Sequence, residues 1–274
     1  MSARPVLFGI LNITADSFSD GGRFLDPAAA VAEARRLAAA GADVIDVGAA
    51  ASNAAAQPVP PEEEIRRLGF VLPALEADGI AVSVDTFHPE TQRFALARGV
   101  AYLNDITGFA DAALYPALAA ARCRLVVMHS AHRRGRARPA ARGAAAVWRH
   151  IEAFFAARLA ALEAAGIARR RLIIDPGMGL FLSTRPEASL RALAGIARLK
   201  ARFGLPVLVS VSRKSFLGAL TGRRDPLALG PATLAAELHA AAAGADYIRT
   251  HDPGALRDAL AVTAALERER RRLY

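Results

Sequence analysis

Eight short apolar runs in this 274-residue chain each finish on a side chain able to bind or carry charge. In order these are Asn12, Asp46, Asp85, Asn104-Asp105, Met128-His129, Asp175, Arg213-Lys214, and Arg249 with His251. Asp85, Asn104, Asp175 and Lys214 offer carboxylates, an amide and an ammonium. That set partners a flat heterocycle with an N–H donor edge and a carbonyl acceptor. Asn12, Arg249 and His251 suit phosphate oxygens, with a hard cation held by the Asn12 carbonyl. A heterocycle joined to phosphate implies a leaving phosphate or pyrophosphate. Singly, each residue has a plainer reading: Asp85 and Asp175 as caps or turn residues, His129 as a hydrogen-bonded core histidine. Repetition at eight run ends makes them a polar cup of mixed charge.

Such a cup needs elements that bring the run ends together. The predicted strands are 6–13, 42–48, 80–86, 101–106, 124–129, 171–177, 206–213 and 245–251. Most are near-continuous apolar runs, as a parallel sheet buried on both faces requires. Helical stretches rich in Ala, Leu and Arg separate them. Asp26-Pro27 supplies an N-cap and first-turn proline, and Gly41 a C-terminal stop. Pro60-Pro61 followed by three glutamates opens another helix with acids where the dipole favours them. Eight units of about 34 residues each match a repeated strand–helix unit. They predict one (β/α)8 TIM barrel over 1–274, with its active site at the strands' C-terminal ends. A doubly wound open sheet would carry a G-x-G-x-x-G turn after its first strand, and LNITADSFSDGG stands there instead. The connection 130–146, with five arginines and no acid, reads as a mobile loop after strand five. The tail RERRRLY reads as a solvated helix end.

Composition narrows the class. The 35 basic and 26 acidic side chains leave a net charge of +9, and only two of the bases, Lys200 and Lys214, are lysine. Arginine is therefore a compositional habit, and each lysine is a candidate for a role needing a compact point charge. Lys200, in IARLKARFG, reads as part of a solvated face, which leaves Lys214. The 65 alanines inflate a hydrophobic fraction of 53%. A lone Cys123 excludes a disulfide framework or multi-cysteine metal site. Neither a secretion signal nor a run of roughly 20 apolar residues is evident, so the expectation is a soluble cytoplasmic protein. The positive charge invites a nucleic-acid module. However, the arginines are dispersed and aromatics make up only 6%, so no stacking platform is expected.

At these residues the chain resembles the dihydropteroate synthases over nearly its whole length. The phrases are FGILNITADSFSDGG (8–22), SVDTFHPE (83–90), YLNDITGF (102–109), VVMHS (126–130), DPGMG (175–179), SVSRKSFLG (210–218) and RTHD (249–252). Within the family, VGAAAS, HPETQR and GPATLAAELHA are most similar to the sulfonamide-insensitive synthases of mobile resistance elements. The resemblance implies condensation of 6-hydroxymethyl-7,8-dihydropterin pyrophosphate with p-aminobenzoate, in folate synthesis, by a homodimer that uses Mg²⁺. It further implies that Asp85, Asn104, Asp175 and Lys214 hold the pterin, with Ile106 and Met128 packing on its ring. Asn12 would ligate Mg²⁺, Arg249 and His251 would grip pyrophosphate, and Ser215 would lie beside the p-aminobenzoate carboxylate. Loops bearing Asp16, Phe18 and Ser19, and Ser52, would close over the site.

Two departures stand out. Where the family's second loop usually reads GESTRPGA, residues 48–55 read GAAASNAA, so Ser52 can replace a threonine but Asn53 cannot replace an arginine. DPGMGLFLS replaces a form that carries a lysine, and places Leu180 and Phe181 near the expected p-aminobenzoate pocket. Both changes point to sulfonamide tolerance. The STRP at 183–186 reads as coincidence unless Arg185 reaches the second substrate. A pterin-binding methyl-transfer barrel is the alternative enzyme, but it has no need of SRKS and RTHD for a pyrophosphate.

Overall fold

A computed structural model describes residues 4–14, 26–50, 58–131 and 140–273. Strands and helices alternate along it: β1 (Val6–Asn12), α1 (Pro27–Ala39), β2 (Val44–Gly48), α2 (Pro61–Ala77), β3 (Val82–Asp85), α3 (Pro89–Ala97), β4 (Tyr102–Asp105), α4 (Tyr115–Ala120) and β5 (Arg124–Met128). Then follow α5 (Ala144–Ala164), β6 (Leu172–Asp175), α6 (Pro186–Ala194), α7 (Ile196–Phe203), β7 (Leu208–Val209), α8 (Ser215–Thr221), α9 (Gly230–Ala242), β8 (Tyr247–Thr250) and α10 (Pro253–Leu273). The strands form one parallel sheet in the order β6-β5-β4-β3-β2-β1-β8-β7. A parallel bridge between Ile174 and Val207 joins its two ends. The expected (β/α)8 barrel is what forms, because apolar strands of this kind must be covered on both faces.

Local chemistry sets the boundaries. Asp26 caps α1 by accepting from the N–H groups of Ala28 and Ala29, and Gly41 follows that helix at φ 107°. The seventh strand is much shorter than the predicted 206–213. Pro206 has no N–H to give, and the chain turns out of the ladder at Arg213 (φ 57°). Ala144–Ala146 belong to α5, so the connection after β5 ends earlier than its composition suggested; its residues 132–139 lie outside the described residues. Lys200 is more than a solvated lysine: its Nζ donates to Gly244 O (3.1 Å) and Asp246 Oδ1 (2.6 Å), tying α7 to the start of β8. The barrel floor is packed by Phe8, Val44, Val126, Ile173, Leu208 and Tyr247. Edge-on contacts among Phe8, Tyr102 and Tyr247 close it at the N-terminal end.

Candidate active site

Strand pleat decides which residues enter the cup. Successive side chains alternate faces, so a cup residue stands two positions after a floor residue. This holds for Val44 and Asp46, Tyr102 and Asn104, Val126 and Met128, Ile173 and Asp175, and Tyr247 and Arg249. The ladder sets Asn12 beside Gly48, Gly48 beside Asp85, Asp85 beside Asn104, and Met128 beside Asp175. The other member of each doublet faces out. Asp105 accepts four bonds from Thr107 N, Thr107 Oγ1, Gln92 Nε2 and Phe109 N, which folds the turn after β4. His129, fully buried, bonds Pro176 O through Nδ1 (3.0 Å) and His150 Nδ1 through Nε2 (2.7 Å), so the plain core reading is right for it.

Arg249 is the centre of the cup. Its Nε donates to Asp46 Oδ2, and a terminal nitrogen donates to Asp85 Oδ2 at 2.9 Å, bracing β8 against β2 and β3. Asn104 Nδ2 lies 3.4 Å from the same Asp46 oxygen. The heterocycle half and the phosphate half thus share one guanidinium and are not separate. The sequence places Asp46 at a strand end without a role; a tertiary contact makes it Arg249's buried anchor. Among the described residues, Asp46 Oδ1 and Asn104 Oδ1 are buried with no hydrogen-bond partner. An orphaned buried acceptor costs about 1–3 kcal/mol, and a ligand bearing N–H donors removes that cost.

Burial shifts the titrating groups toward neutrality. It pushes the Asp85 carboxyl up to about 7 against the pull of Arg249, and Asp175 up to about 6 against its bond from Gly177 N–H and the charge of Lys214. Burial and the Arg249 charge bring Lys214 down to about 8. His251 falls well below its ordinary value through burial and the nearby Arg213, Arg249 and Lys214 cations. Ser212 Oγ accepts the His251 backbone N–H (3.2 Å) and meets Nδ1 at 2.8 Å. With the hydroxyl donating to Nδ1, a neutral ring keeps its Nε2 proton for a ligand oxygen.

The rest of the wall is apolar. Ile106, Met128 and Phe181 form one buried cluster with Phe87 and Leu180 against it. Phe181 therefore belongs with the two residues expected to pack on a ring, and Lys214 Nζ lies 5.2 Å from its centroid. Asp175 Oδ1 accepts the N–H of Gly177 (2.8 Å), so its turn role and its place in the cup coexist. A Cβ on Gly177 (φ 73°) would sit 2.3 Å from His129 O, which only glycine avoids. Ser215, exposed, opens α8 beside Gly179. Ser183 is a structural residue that accepts the N–H groups of Arg142 and Arg185 at the start of α6. Arg185 points to solvent, consistent with coincidence. Asp16, Phe18, Ser19, Ser52 and Asn53 lie outside the described residues.

Sequence reading missed the residues behind the cup. Glu64, read as a dipole-favoured acid, is buried and accepts the hydroxyls of Thr86 (2.8 Å) and Thr91 (2.6 Å), anchoring the turn after Asp85. Arg67 donates to Ile13 O (3.2 Å) and Ala49 O (2.9 Å), clamping the ends of β1 and β2. For a cation, the described residues hold no cluster of three His, Cys, Asp or Glu side chains. Asn12 Oδ1 would lie 3.4 Å from a Cβ on Gly48. One neutral oxygen fits Mg²⁺ that takes its remaining ligands from phosphate and water, as Mg²⁺ commonly does.

The chain matches the family of pterin binding enzymes over residues 8–251. It is 60% identical over 267 residues to dihydropteroate synthase type-2 of Escherichia coli, spanning 97% of this chain and 98% of that one. The solved dihydropteroate synthase of Xanthomonas albilineans with 4-aminobenzoic acid superposes with a TM-score of 0.87 at 40% identity, covering 96% of this chain and 93% of that one. The same enzyme in complex with 7,8-dihydropteroate gives 0.80 at 37% identity over the same shares.

Proposed function

The chain belongs to the pterin binding enzyme family, among its dihydropteroate synthases, and on that premise we propose how its cup performs the transfer. The reaction joins 6-hydroxymethyl-7,8-dihydropterin pyrophosphate to p-aminobenzoate, giving dihydropteroate and pyrophosphate in folate synthesis. The observation that carries the assignment is the pair of buried acceptors without partners beside Arg249, Asp46 Oδ1 and Asn104 Oδ1, with the Asp85 and Asp175 carboxyls next to them. The amino and ring N–H groups of a pterin supply the missing donors, and Lys214 donates to its carbonyl. Ile106, Met128 and Phe181 offer the flat ring an apolar wall.

Arg249 and the Nε2–H of His251, at the end of β8, would donate to the pyrophosphate oxygens. Asn12 would hold Mg²⁺, which when bound neutralises charge on the departing pyrophosphate. The methylene C–O bond breaks first, its electron pair leaving with pyrophosphate. The pterin-stabilised cation is then captured by the arylamine nitrogen, which loses a proton. Most of the rate comes from stabilising the leaving anion and orienting the amine. Ser215 is placed to meet the p-aminobenzoate carboxylate, and Asp16, Phe18 and Ser52 belong to loops proposed to cover the site.

The replaced second loop and the DPGMGLFLS turn support sulfonamide tolerance as a further reading, since both depart from the family's pattern in segments that the resemblance associates with the arylamine. Its cytoplasmic location is likewise proposed; among the described residues no helix is long and apolar enough to cross a membrane. A homodimer is proposed through α10, whose Val262, Leu266 and Leu273 are exposed along one face. The deciding experiment is pyrophosphate release on mixing the two substrates, repeated over a sulfamethoxazole titration. Release is expected with both substrates and Mg²⁺. Half-inhibition is expected at a drug concentration at least about tenfold above that of a sensitive synthase, a difference of about 1.4 kcal/mol. No release would overturn the activity, and ordinary sensitivity would overturn the tolerance alone.

A further inference from the structure

The first turn of α3 buries two polar side chains in succession, Thr91 and Gln92, behind the cup. Thr91 Oγ1 donates to Glu64 on α2, whereas Gln92 reaches the strand ends. Its Nε2 donates to Thr86 O at 2.9 Å and to Asp105 Oδ2 at 2.8 Å. A carbonyl and a carboxylate oxygen accept and do not donate, so the amide must present its nitrogen to both, and both of its protons are used.

Each acceptor adjoins a cup residue. Thr86 follows Asp85, and Asp105 follows Asn104, while Asp85 and Asn104 are partners in the β3–β4 ladder. The ladder runs one bond further, from Thr86 N to Asn104 O at 3.0 Å, and Gln92 supplies the next tie between the two turns. Arg249 holds Asp85 from inside the cup at 2.9 Å, and Gln92 holds the same pair of turns from outside it. Packing alone does not call for an amide here. A methionine would fill the space without burying a polar group that needs two partners.

Resting on the reading that Asp85 and Asn104 meet the donor edge of the pterin, we infer that Gln92 is a positioning residue for that substrate. It fixes the separation of the β3 and β4 turns, and with it the spacing at which the Asp85 and Asn104 oxygens face the ring. It does so without touching the pterin itself. Its neighbour Thr91, bonded to Glu64 and not to Asp105, is a structural tie only.

Steady-state pyrophosphate release, with each substrate varied in turn, and unfolding midpoints test this on the full chain. Gln92→Met is expected to raise the KM for pterin pyrophosphate about tenfold, with kcat within about twofold and the p-aminobenzoate KM unchanged. Gln92→Asn, one methylene shorter, cannot span both acceptors and should raise the same KM. Thr91→Val is the matched control: it loses a buried bond from the same helical turn, so it should lower the unfolding midpoint and leave both KM values at wild type. Combining Gln92→Met with Asn104→Ala should raise the pterin pyrophosphate KM by less than the product of the single effects, because Gln92 acts through Asn104. A wild-type KM in both Gln92→Met and Gln92→Asn would overturn the inference. So would an equal rise in Thr91→Val, or single effects that simply multiply in the double variant. If Gln92→Met fails to fold, Gln92→Asn decides alone. A wild-type chain that releases no pyrophosphate would instead defeat the functional reading, and an unchanged pterin pyrophosphate KM in Asn104→Ala would defeat the assignment of this edge to the pterin.

Discussion

Lys214 is the residue where composition and site meet. In a chain that uses arginine for 33 of its 35 bases, the compact ammonium stands half-buried over the ring of Phe181, within reach of the charges of Asp175 and Asp85. Its charge is lost as pH rises through about 8, whereas the Asp85 and Asp175 charges are lost as pH falls through about 7 and about 6. The kcat/KM for pterin pyrophosphate is therefore expected to be bell-shaped, with its maximum between those limbs. Lys214→Arg should fold normally yet lose most turnover, about tenfold or more, since a planar fork cannot replace a point donor in a filled pocket. Its residual activity should lack the alkaline limb. Near-normal turnover in that variant would remove Lys214 from the pterin role. These same shifts show that the folded state disfavours the charged forms of both carboxylates. Ionising them lowers stability as pH rises from 3.8 toward their folded values.

At the scale of elements, the site depends on turns pressed against neighbouring strands. The DPG turn after β6 is pressed against backbone: Gly177 combines φ 73° with a backbone carbonyl 2.3 Å from where a Cβ would lie. Gly177→Ala must displace His129 O, and with it the ladder beside Asp175. It should cost about 2 kcal/mol or more and abolish pyrophosphate release. Gly166→Ala is the matched control, because Gly166 shares a positive φ (83°) but has nothing within 4 Å of the added methyl. It should cost about 1 kcal/mol and leave activity intact. Equal losses in the two variants by chemical denaturation would mean that backbone strain alone, and not the close approach, explains Gly177.

At the scale of the whole molecule, the barrel spreads its work over two ends. The N-terminal floor is aromatic and apolar, with Arg124 hydrogen-bonded to the Tyr247 hydroxyl beneath it. The C-terminal cup instead carries buried polar atoms whose partners come with substrate. Helix α10 leaves Val262, Leu266 and Leu273 exposed at helical spacing, the largest such stripe on one element among the described residues. Sedimentation equilibrium should give twice the 28.8 kDa chain mass, and Leu266→Glu should give the single-chain mass with the circular dichroism spectrum unchanged. A wild-type chain that sediments as a monomer would rule out the α10 interface.

The sequence by itself determined the barrel, the order of its strands and the run ends from which the cup is drawn. Apolar runs of strand length, separated by capped helices, admit little else, and polar side chains at eight run ends must converge once the sheet closes. It could not choose within Asn104-Asp105 or Met128-His129, because one residue of register exchanges the two faces and both members are polar or sulfur-bearing. Only the pleat sent Asp105 and His129 outward. Nor could it assign Asp46, Glu64 or Arg67, whose partners lie far along the chain or on another element. Those pairings have no local signature. They exist because closing the sheet sets β8 beside β1 and brings Arg249 across to Asp46 and Asp85, and because packing α2 outside it brings Glu64 and Arg67 to the strand ends.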